Sequence, residues 1–270
     1  MEAGVAPDPA LERSFRGHRD GVNAVVFNPN MRQLVTGSED ASVMIWHFRP
    51  NLRAFRFIGH KSAVLSIAIS PDGGLIASGS KDRTVRLWLP TVKGESTTIR
   101  AHSGAVRCVR FSTDGDSLLS ASDDKSVKVW SVSGQRFKFS LTGHSNWVRT
   151  AEFSPDGRLV ASGGDDKTVK LWDTGGRTCI HTFYDHSAQV TAVRFHPDGN
   201  CLASASEDRA IRLWDSRAPE LRLELQSRAT ALTSGLTQTV RVAPSSVGGG
   251  GYRTQAPSCC CSSTTRTPHP

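Results

Sequence analysis

Residues 143–173 read GHSNWVRTAEFSPDGRLVASGGDDKTVKLWD, and this stretch decides the fold because its pattern occurs four more times in the chain. A histidine, an aspartate, a tryptophan and a hydroxyl ten residues before that tryptophan each recur every 42 residues, without insertion or deletion. Such self-similarity indicates a repeat architecture. The recurring residues are His18, Thr36, Asp40 and Trp46, then His60, Ser78, Asp82 and Trp88, then His102, Ser120, Asp124 and Trp130, then His144, Ser162, Asp166 and Trp172, and finally His186, Ser204, Asp208 and Trp214.

Each unit reads as short strands separated by turns. In the second unit, residues 64–69 and 84–88 alternate and are rich in strand-forming side chains. Residues 70–73, Ser-Pro-Asp-Gly, have proline early and glycine late, as a turn does. A further strand is predicted near residues 96–100. Because no segment shows sustained 3.6-residue periodicity, we expect no helix within the repeats.

Four short strands per unit, with Gly-His near the start and tryptophan near the end, resemble the WD-repeat family over roughly residues 11–226. The Trp-Asp pair itself is present at residues 172–173 and 214–215. The resemblance implies an all-β propeller of five four-stranded blades. Its repeats are expected at approximately 11–51, 52–93, 94–135, 136–177 and 178–217, with a trailing strand at 219–226.

We predict a structural role for the recurring histidine, hydroxyl, aspartate and tryptophan residues. The resemblance implies that they form hydrogen-bonded tetrads, in which the indole donates to the hydroxyl, the hydroxyl to the imidazole, and the imidazole to the carboxylate. Serine, histidine and aspartate also form hydrolase triads. Five copies in one register argue against catalysis, since an enzyme needs one nucleophile. We therefore predict that the protein is not an enzyme.

The number of blades is the open question. The period predicts a sixth histidine at position 228 and a sixth tryptophan at 256, where the chain has Arg228 and Ala256. Either five blades close into a small ring, or the chain is a shortened version of a seven-bladed parent. The abrupt change of composition favours the second. Residues 1–10 are predicted to be flexible, and the Ser/Thr/Gly/Pro-rich residues 227–270 to be a disordered tail.

Two segments are predicted to compete for one sheet edge. Residues 11–16 precede the first histidine and should form an outermost strand. In closed propellers of the family, that strand completes the last blade. Here the last blade already has a candidate of its own at residues 221–225.

Composition excludes several other functions. No run of 18 apolar residues occurs, so no membrane span is expected. No phosphate-binding loop or metal-ligand cluster is apparent, so neither cofactor nor metal is predicted. Cys108, Cys179 and Cys201 are predicted to be buried, reduced thiols. The adjacent residues 259–261, all cysteine, lack the partners a zinc site needs.

Several short stretches lie outside the blade pattern, at residues 8–13, 53–57, 92–96, 137–141 and 144–149. Together they resemble the proteome-of-centriole WD-repeat proteins. That resemblance implies a scaffold for centriole assembly or stability and cilium formation, located in the cytoplasm at the centrosome, centriole and cilium basal body. Its partners would be centriolar or microtubule-associated proteins. The seven repeats and C-terminal coiled coil of that family are not evident here.

Partner binding is predicted at the rim where the inner strands begin, which the family resemblance places at Lys81, Arg107, Trp147 and Arg149. Trp147 is the one tryptophan outside the 42-residue register. Tryptophan and arginine are enriched at binding hot spots. This predicts a basic, aromatic patch for an acidic protein surface, such as that of tubulin. The alternative is that Trp147 covers the core of blade four while the basic residues are merely solvated.

Two other functions remain open. Residues 214–217, Trp-Asp-Ser-Arg, resemble the box by which some WD-repeat proteins dock onto cullin-type ubiquitin ligases as substrate receptors. The net charge of +8 would suit nucleic acid. Because the positive charge is scattered, nucleic acid is the less favoured partner.

Overall fold

A computed structural model describes residues 11–49, 51–91 and 94–217, together with the backbone of residues 222–226. These residues lie within one compact unit. All the regular structure in these ranges consists of β-strands. None of the described residues forms a helix of the length and hydropathy that a membrane crossing requires.

The strands form five antiparallel sheets of four consecutive strands each, so the prediction of five four-stranded blades is confirmed. Blade one contains β1 (Val22–Phe27), β2 (Gln33–Ser38), β3 (Ser42–His47) and β4 (Phe55–Ile58); blade two contains β5 (Val64–Ile69), β6 (Ile76–Ser80), β7 (Thr84–Trp88) and β8 (Ser96–Arg100); blade three contains β9 (Val106–Phe111), β10 (Ser117–Ser122), β11 (Ser126–Ser131) and β12 (Phe137–Thr142). Blade four contains β13 (Val148–Phe153), β14 (Leu159–Gly164), β15 (Val169–Asp173) and β16 (Thr178–Phe183), and blade five contains β17 (Val190–Phe195), β18 (Cys201–Ser206), β19 (Ala210–Asp215) and β20 (Arg222–Gln226).

The second and third strands of every blade are joined by a turn with one left-handed residue. In blade two this residue is Arg83, with φ of 71°. A side chain in this region costs free energy that the surroundings must offset. The preceding Asp82 contributes, because its carboxylate accepts a hydrogen bond from the Thr84 amide at 3.0 Å. The equivalent left-handed residues are Ala41, Lys125, Lys167 and Arg209.

Successive blades pack face to face around their inner strands: β1 contacts β5, β5 contacts β9, β9 contacts β13, and β13 contacts β17. Each interface is a separate apolar cluster. Between blades one and two, for example, Val43 and Ile45 meet Ile67 and Trp88. Pleating places alternate residues of each strand on opposite faces of the sheet. A blade can therefore pack one face against the preceding blade and the other face against the following one.

The leading face of blade one differs from the same face in the other blades. Val22, Val25 and Phe27 are 54%, 43% and 56% exposed. The valines at the first of these positions in the other blades are fully buried. No blade within the described ranges therefore covers the leading face of blade one, as closure of the five blades into a ring would require.

The prediction of an N-terminal strand is wrong, because residues 11–18 contain none. The edge of blade five is taken by β20, which pairs antiparallel with β19, as predicted for the trailing strand. The N-terminal segment packs on blade one instead. There the Phe15 ring lies 5.5 Å from that of Trp46 and 6.3 Å from that of Phe48.

Two of the three cysteine predictions also need correction. Cys108 on an inner strand is buried, but Cys201 is half-buried and Cys179 is exposed. Cys179 lies on the outermost strand of blade four, where one face meets solvent. The predictions for residues 1–10, 227–270 and the cysteines at 259–261 fall outside the described residues.

Candidate protein-interaction surface

The structure brings each set of four recurring polar residues together. The indole Nε1 donates to the hydroxyl at 2.7–2.9 Å in all five blades. The same hydroxyl lies 2.7–2.8 Å from the imidazole Nε2. The imidazole Nδ1 lies 2.8–3.1 Å from the aspartate. Because a carboxylate only accepts, Nδ1 carries the proton and Nε2 accepts from the hydroxyl.

These tetrads join the second and third strands of one blade, the turn between those strands, and the loop that enters the blade. Ser162, for example, is fully buried on β14 and bonds both Trp172 on β15 and His144 before β13. Its hydroxyl is enclosed and engaged on both sides, so a substrate cannot reach it. The tetrad therefore links neighbouring strands, and its hydroxyl is not placed to act as a nucleophile.

Burial and hydrogen bonding set the charges within the tetrads. Burial lowers the pKa of the His60 and His186 imidazoles below the usual 6.5, because a charged ring would lose its hydration. Burial also raises the pKa of Asp82, but hydrogen bonds led by those from Thr84 and the Lys61 amide outweigh it and hold that pKa at about 2. Near neutral pH the pair is therefore a neutral imidazole and an ionised carboxylate.

In four blades the tetrad has a fifth hydrogen-bonding member that the sequence analysis did not identify. In four blades a hydroxyl two residues after the aspartate donates to its second oxygen at 2.6–2.8 Å, from Ser42, Thr84, Ser126 and Thr168. Blade five has Ala210 there. Arg212 lies 2.8 Å from Asp208 and supplies a donor to that carboxylate. The recurrence of serine or threonine at this position was the signal that could have revealed it.

Trp147 lies in the loop before β13 and is 42% exposed. It is not among the buried and partly buried side chains that form the apolar clusters of blade four. The guanidinium of Arg107, from blade three, lies 5.2 Å from the centre of its ring. Arg107 is itself held by Asp123, with bonds of 2.6 and 3.0 Å. The Trp147 ring therefore lies beside a cation that is itself held by an ion pair.

Arg149 is anchored in a similar way. It forms a two-pronged ion pair with Asp165, and its Nη2 donates to Gln189 of blade five at 2.9 Å. The ion pair with Asp165 raises the pKa of Arg149. Lys81 lies in the turn between β6 and β7 of blade two, at the position that Asp165 has in blade four, and its side chain is exposed. The structure thus joins three of the four predicted rim residues to neighbouring blades or to each other.

The rim is charge-balanced rather than basic. The rim positions are the third and fifth residues after each recurring histidine and the residue before each recurring aspartate. Four carboxylates and three cations occupy them across the five blades, namely Glu39, Asp123, Asp165 and Glu207 against Lys81, Arg107 and Arg149. The two arginines are paired within the protein. The predicted basic character is therefore largely neutralised, and exposed Trp147 becomes the distinguishing feature.

Part of the segment that resembles a ligase-docking box, residues 214–217, has a structural role in blade five. Trp214 is buried in its tetrad. Arg217 donates from its amide to Asp215 at 2.8 Å, and its side chain is exposed. The described residues contain no group of three or more potential metal ligands close enough to hold an ion.

Five copies of one family model match this chain, at residues 10–47, 52–88, 94–131, 135–173 and 177–215, under the description "WD domain, G-beta repeat". Together they cover well over half of the sequence. The chain belongs to the WD40 family. WD40 repeats are protein-interaction modules, typically non-catalytic. The repeated tetrads and stacked blades are consistent with that assignment.

Individual relatives match over a shorter stretch. The chain is 56% identical over 55 residues to POC1 centriolar protein homolog A of Xenopus tropicalis, which is 20% of this WD40 chain and 12% of that protein. It is 56% identical over 55 residues to POC1 centriolar protein homolog B of Danio rerio, covering 20% and 11%. For homolog A of Bos taurus, the identity is 53% over 56 residues, covering 21% and 14%. The matched segments span only about an eighth of these relatives.

Proposed function

We propose that this WD40 protein is a non-catalytic scaffold of centrioles and basal bodies, and that it contributes to centriole assembly or stability and to cilium formation through the surface around Trp147. The observation that carries the proposal is the exposed indole of Trp147 on an ordered support. The matched relatives, which are named as centriolar proteins, support the cellular setting.

Pre-ordering makes this surface suitable for binding. Arg107 and Arg149 already lie in ion pairs with Asp123 and Asp165, so little side-chain freedom remains to be lost when a partner docks. Hot spots are enriched in tryptophan and arginine, surrounded by contacts that exclude water. Trp147 with its neighbouring guanidinium has this composition.

The charge balance indicates the kind of partner. A uniformly acidic surface would meet the four rim carboxylates as well as the cations, so its net attraction would be small. A centriolar or microtubule-associated protein that presents an aromatic or aliphatic side chain flanked by mixed charges fits better. We infer that the apolar contact with Trp147 supplies most of the affinity.

Trp147→Ala tests the proposal. We expect recruitment of the tagged protein to centrioles to fall at least tenfold, at an unchanged midpoint of thermal unfolding, since an exposed side chain contributes little to stability. Ile180→Ala is the control, because Ile180 is also in blade four and 52% exposed, but lies on the outermost strand. Normal recruitment of a folded Trp147→Ala protein, or an equal loss with Ile180→Ala, contradicts the proposal.

A further inference from the structure

Blade two carries a basic cavity that neither the repeat pattern nor the Trp147 surface explains. Its volume is about 390 Å³, and four cationic side chains line it: Lys61, Arg83, Arg86 and Arg100. They come from the loop that enters the blade, the turn between β6 and β7, β7 itself and the outermost strand β8. Trp147 does not line this cavity, so a ligand bound there would be recognised independently of the proposed centriolar surface.

The cavity holds one carboxylate, and that carboxylate is already engaged. Asp82 accepts from the His60 ring, the Lys61 amide and the Thr84 hydroxyl at 2.9, 2.9 and 2.6 Å. The side chains of Lys61, Arg83 and Arg100 are exposed, and no ion pair is found for them among the described residues. Four cations against one carboxylate leave a surplus of positive charge that nothing in the described structure neutralises.

Arg86 is held in place before any ligand arrives. Its guanidinium lies 5.5 Å from the ring centre of Trp88, and its Nη1 donates to Ser96 at 3.0 Å. Gly59 makes room for it, since a Cβ there would lie 2.6 Å from Nη1. The Nε atom is buried without a hydrogen-bond partner, so the outer nitrogens of the guanidinium are the atoms that a ligand would meet.

The concentration of charge is specific to blade two. The equivalent positions in blade three are Ser103, Lys125, Lys128 and Thr142, with two cations instead of four. Lys128 is already committed there, because it donates to the Ala101 carbonyl at 2.8 Å. Blade four likewise has two cations, and Lys170 donates to Thr182 at 2.9 Å. Blade architecture therefore does not require the cluster in blade two.

We propose that this cavity binds the phosphate group of a phosphoserine or phosphothreonine in a partner protein. A phosphate monoester carries nearly two negative charges and three acceptor oxygens, which suits several converging cations better than one carboxylate does. Arginine forks match its oxygens geometrically. The cations surround one cavity on one blade, whereas nucleic acid would need them spread along a groove.

The test is an NMR titration of the intact chain at constant ionic strength, following the backbone amides of Lys61 and Arg83. The probes are inorganic phosphate and the peptide Gly-Gly-phosphoserine-Gly-Gly, compared with the same peptide carrying serine or glutamate. We expect saturable binding of both phosphate probes, with the phosphopeptide at least tenfold tighter than the other two peptides.

The matched variant is Lys61→Ser with Arg100→Thr, which installs the residues that blade three has at these positions and leaves the tetrad intact. It should weaken phosphopeptide binding at least tenfold. The control Lys125→Gln with Lys167→Gln removes two exposed charges from other blades and should leave binding unchanged. Trp147→Ala should leave it unchanged as well, which separates this site from the proposed centriolar surface.

Four results would overturn the proposal: no saturation with phosphate, equal weakening in the control, equal affinity for the glutamate peptide, or tighter binding of a single-stranded DNA or a phosphoinositide vesicle through the same residues.

Discussion

At the residue scale, the tetrads show how buried polar side chains are stabilised by hydrogen bonds between apolar blades. Each buried hydroxyl has both a donor and an acceptor partner, and each imidazole is bonded at both nitrogens. Such a network is favourable only while every member is satisfied. The sequence revealed these residues because their spacing repeats. It did not reveal that Arg212 supplies a donor where blade five lacks the usual hydroxyl.

Ser162→Ala tests the cooperation within a tetrad. Removing this hydroxyl leaves the Trp172 indole N–H and the His144 Nε2 atom without a partner, while His144 Nδ1 keeps its bond to Asp166. We expect a cost of about 1–3 kcal/mol for each unpaired buried group. In a Trp172→Phe background the same change should cost less, because one of those groups is already gone. Urea unfolding of the four proteins gives the coupling, and exposed Ser133→Ala should be neutral. Additive effects would argue against a shared network.

At the scale of elements, the blade interfaces are close-packed wherever a small residue faces the next blade. Gly163 on β14 lies against the inner strand of blade five. A Cβ at this position would lie 2.5 Å from Val190 and 2.9 Å from Val193. The same position holds alanine in blades three and five, at Ala121 and Ala205. Sequence alone therefore does not show which blades tolerate a methyl group there.

Gly163→Ala is expected to destabilise the protein by about 1–3 kcal/mol, because the added methyl group overpacks the interface between blades four and five. The control is Gly175→Ala, whose new Cβ would come no closer than 3.7 Å to any neighbour. The free energy of unfolding from denaturant titration distinguishes the two. An unchanged Gly163→Ala protein would show that the blades separate easily to accommodate the group.

At the scale of the whole molecule, blade one has an apolar leading face that no described blade covers. Phe27 and Phe153 occupy the same register position in blades one and four. Phe27 is 56% exposed, while Phe153 is 8% exposed and belongs to the cluster between blades three and four. Exposed apolar patches of this kind favour association with other surfaces.

Because of this asymmetry, we expect replacement of the phenylalanine by alanine to lower the free energy of unfolding more in blade four than in blade one. Phe153→Ala should cost about 3–5 kcal/mol, since it opens a cavity in a packed interface. Phe27→Ala should cost about 1 kcal/mol or less, as expected for a largely exposed position. Thermal and urea unfolding of the two variants test this. Comparable losses would mean that something covers the leading face of blade one in solution.

The sequence by itself determined the strands within the repeats, the blades and the members of the tetrads, because alternation and a 42-residue period are local features that do not depend on how the blades are arranged. It did not determine the conformation of residues 11–18, which lie outside that period. It also singled out Trp147 as the indole that the period does not explain. Tertiary structure alone decided which segment completes blade five, whether the rim arginines are free or paired, and that four cations of blade two share one cavity. These outcomes depend on competition and proximity between residues far apart in the chain, and short-range periodicity contains no information about either.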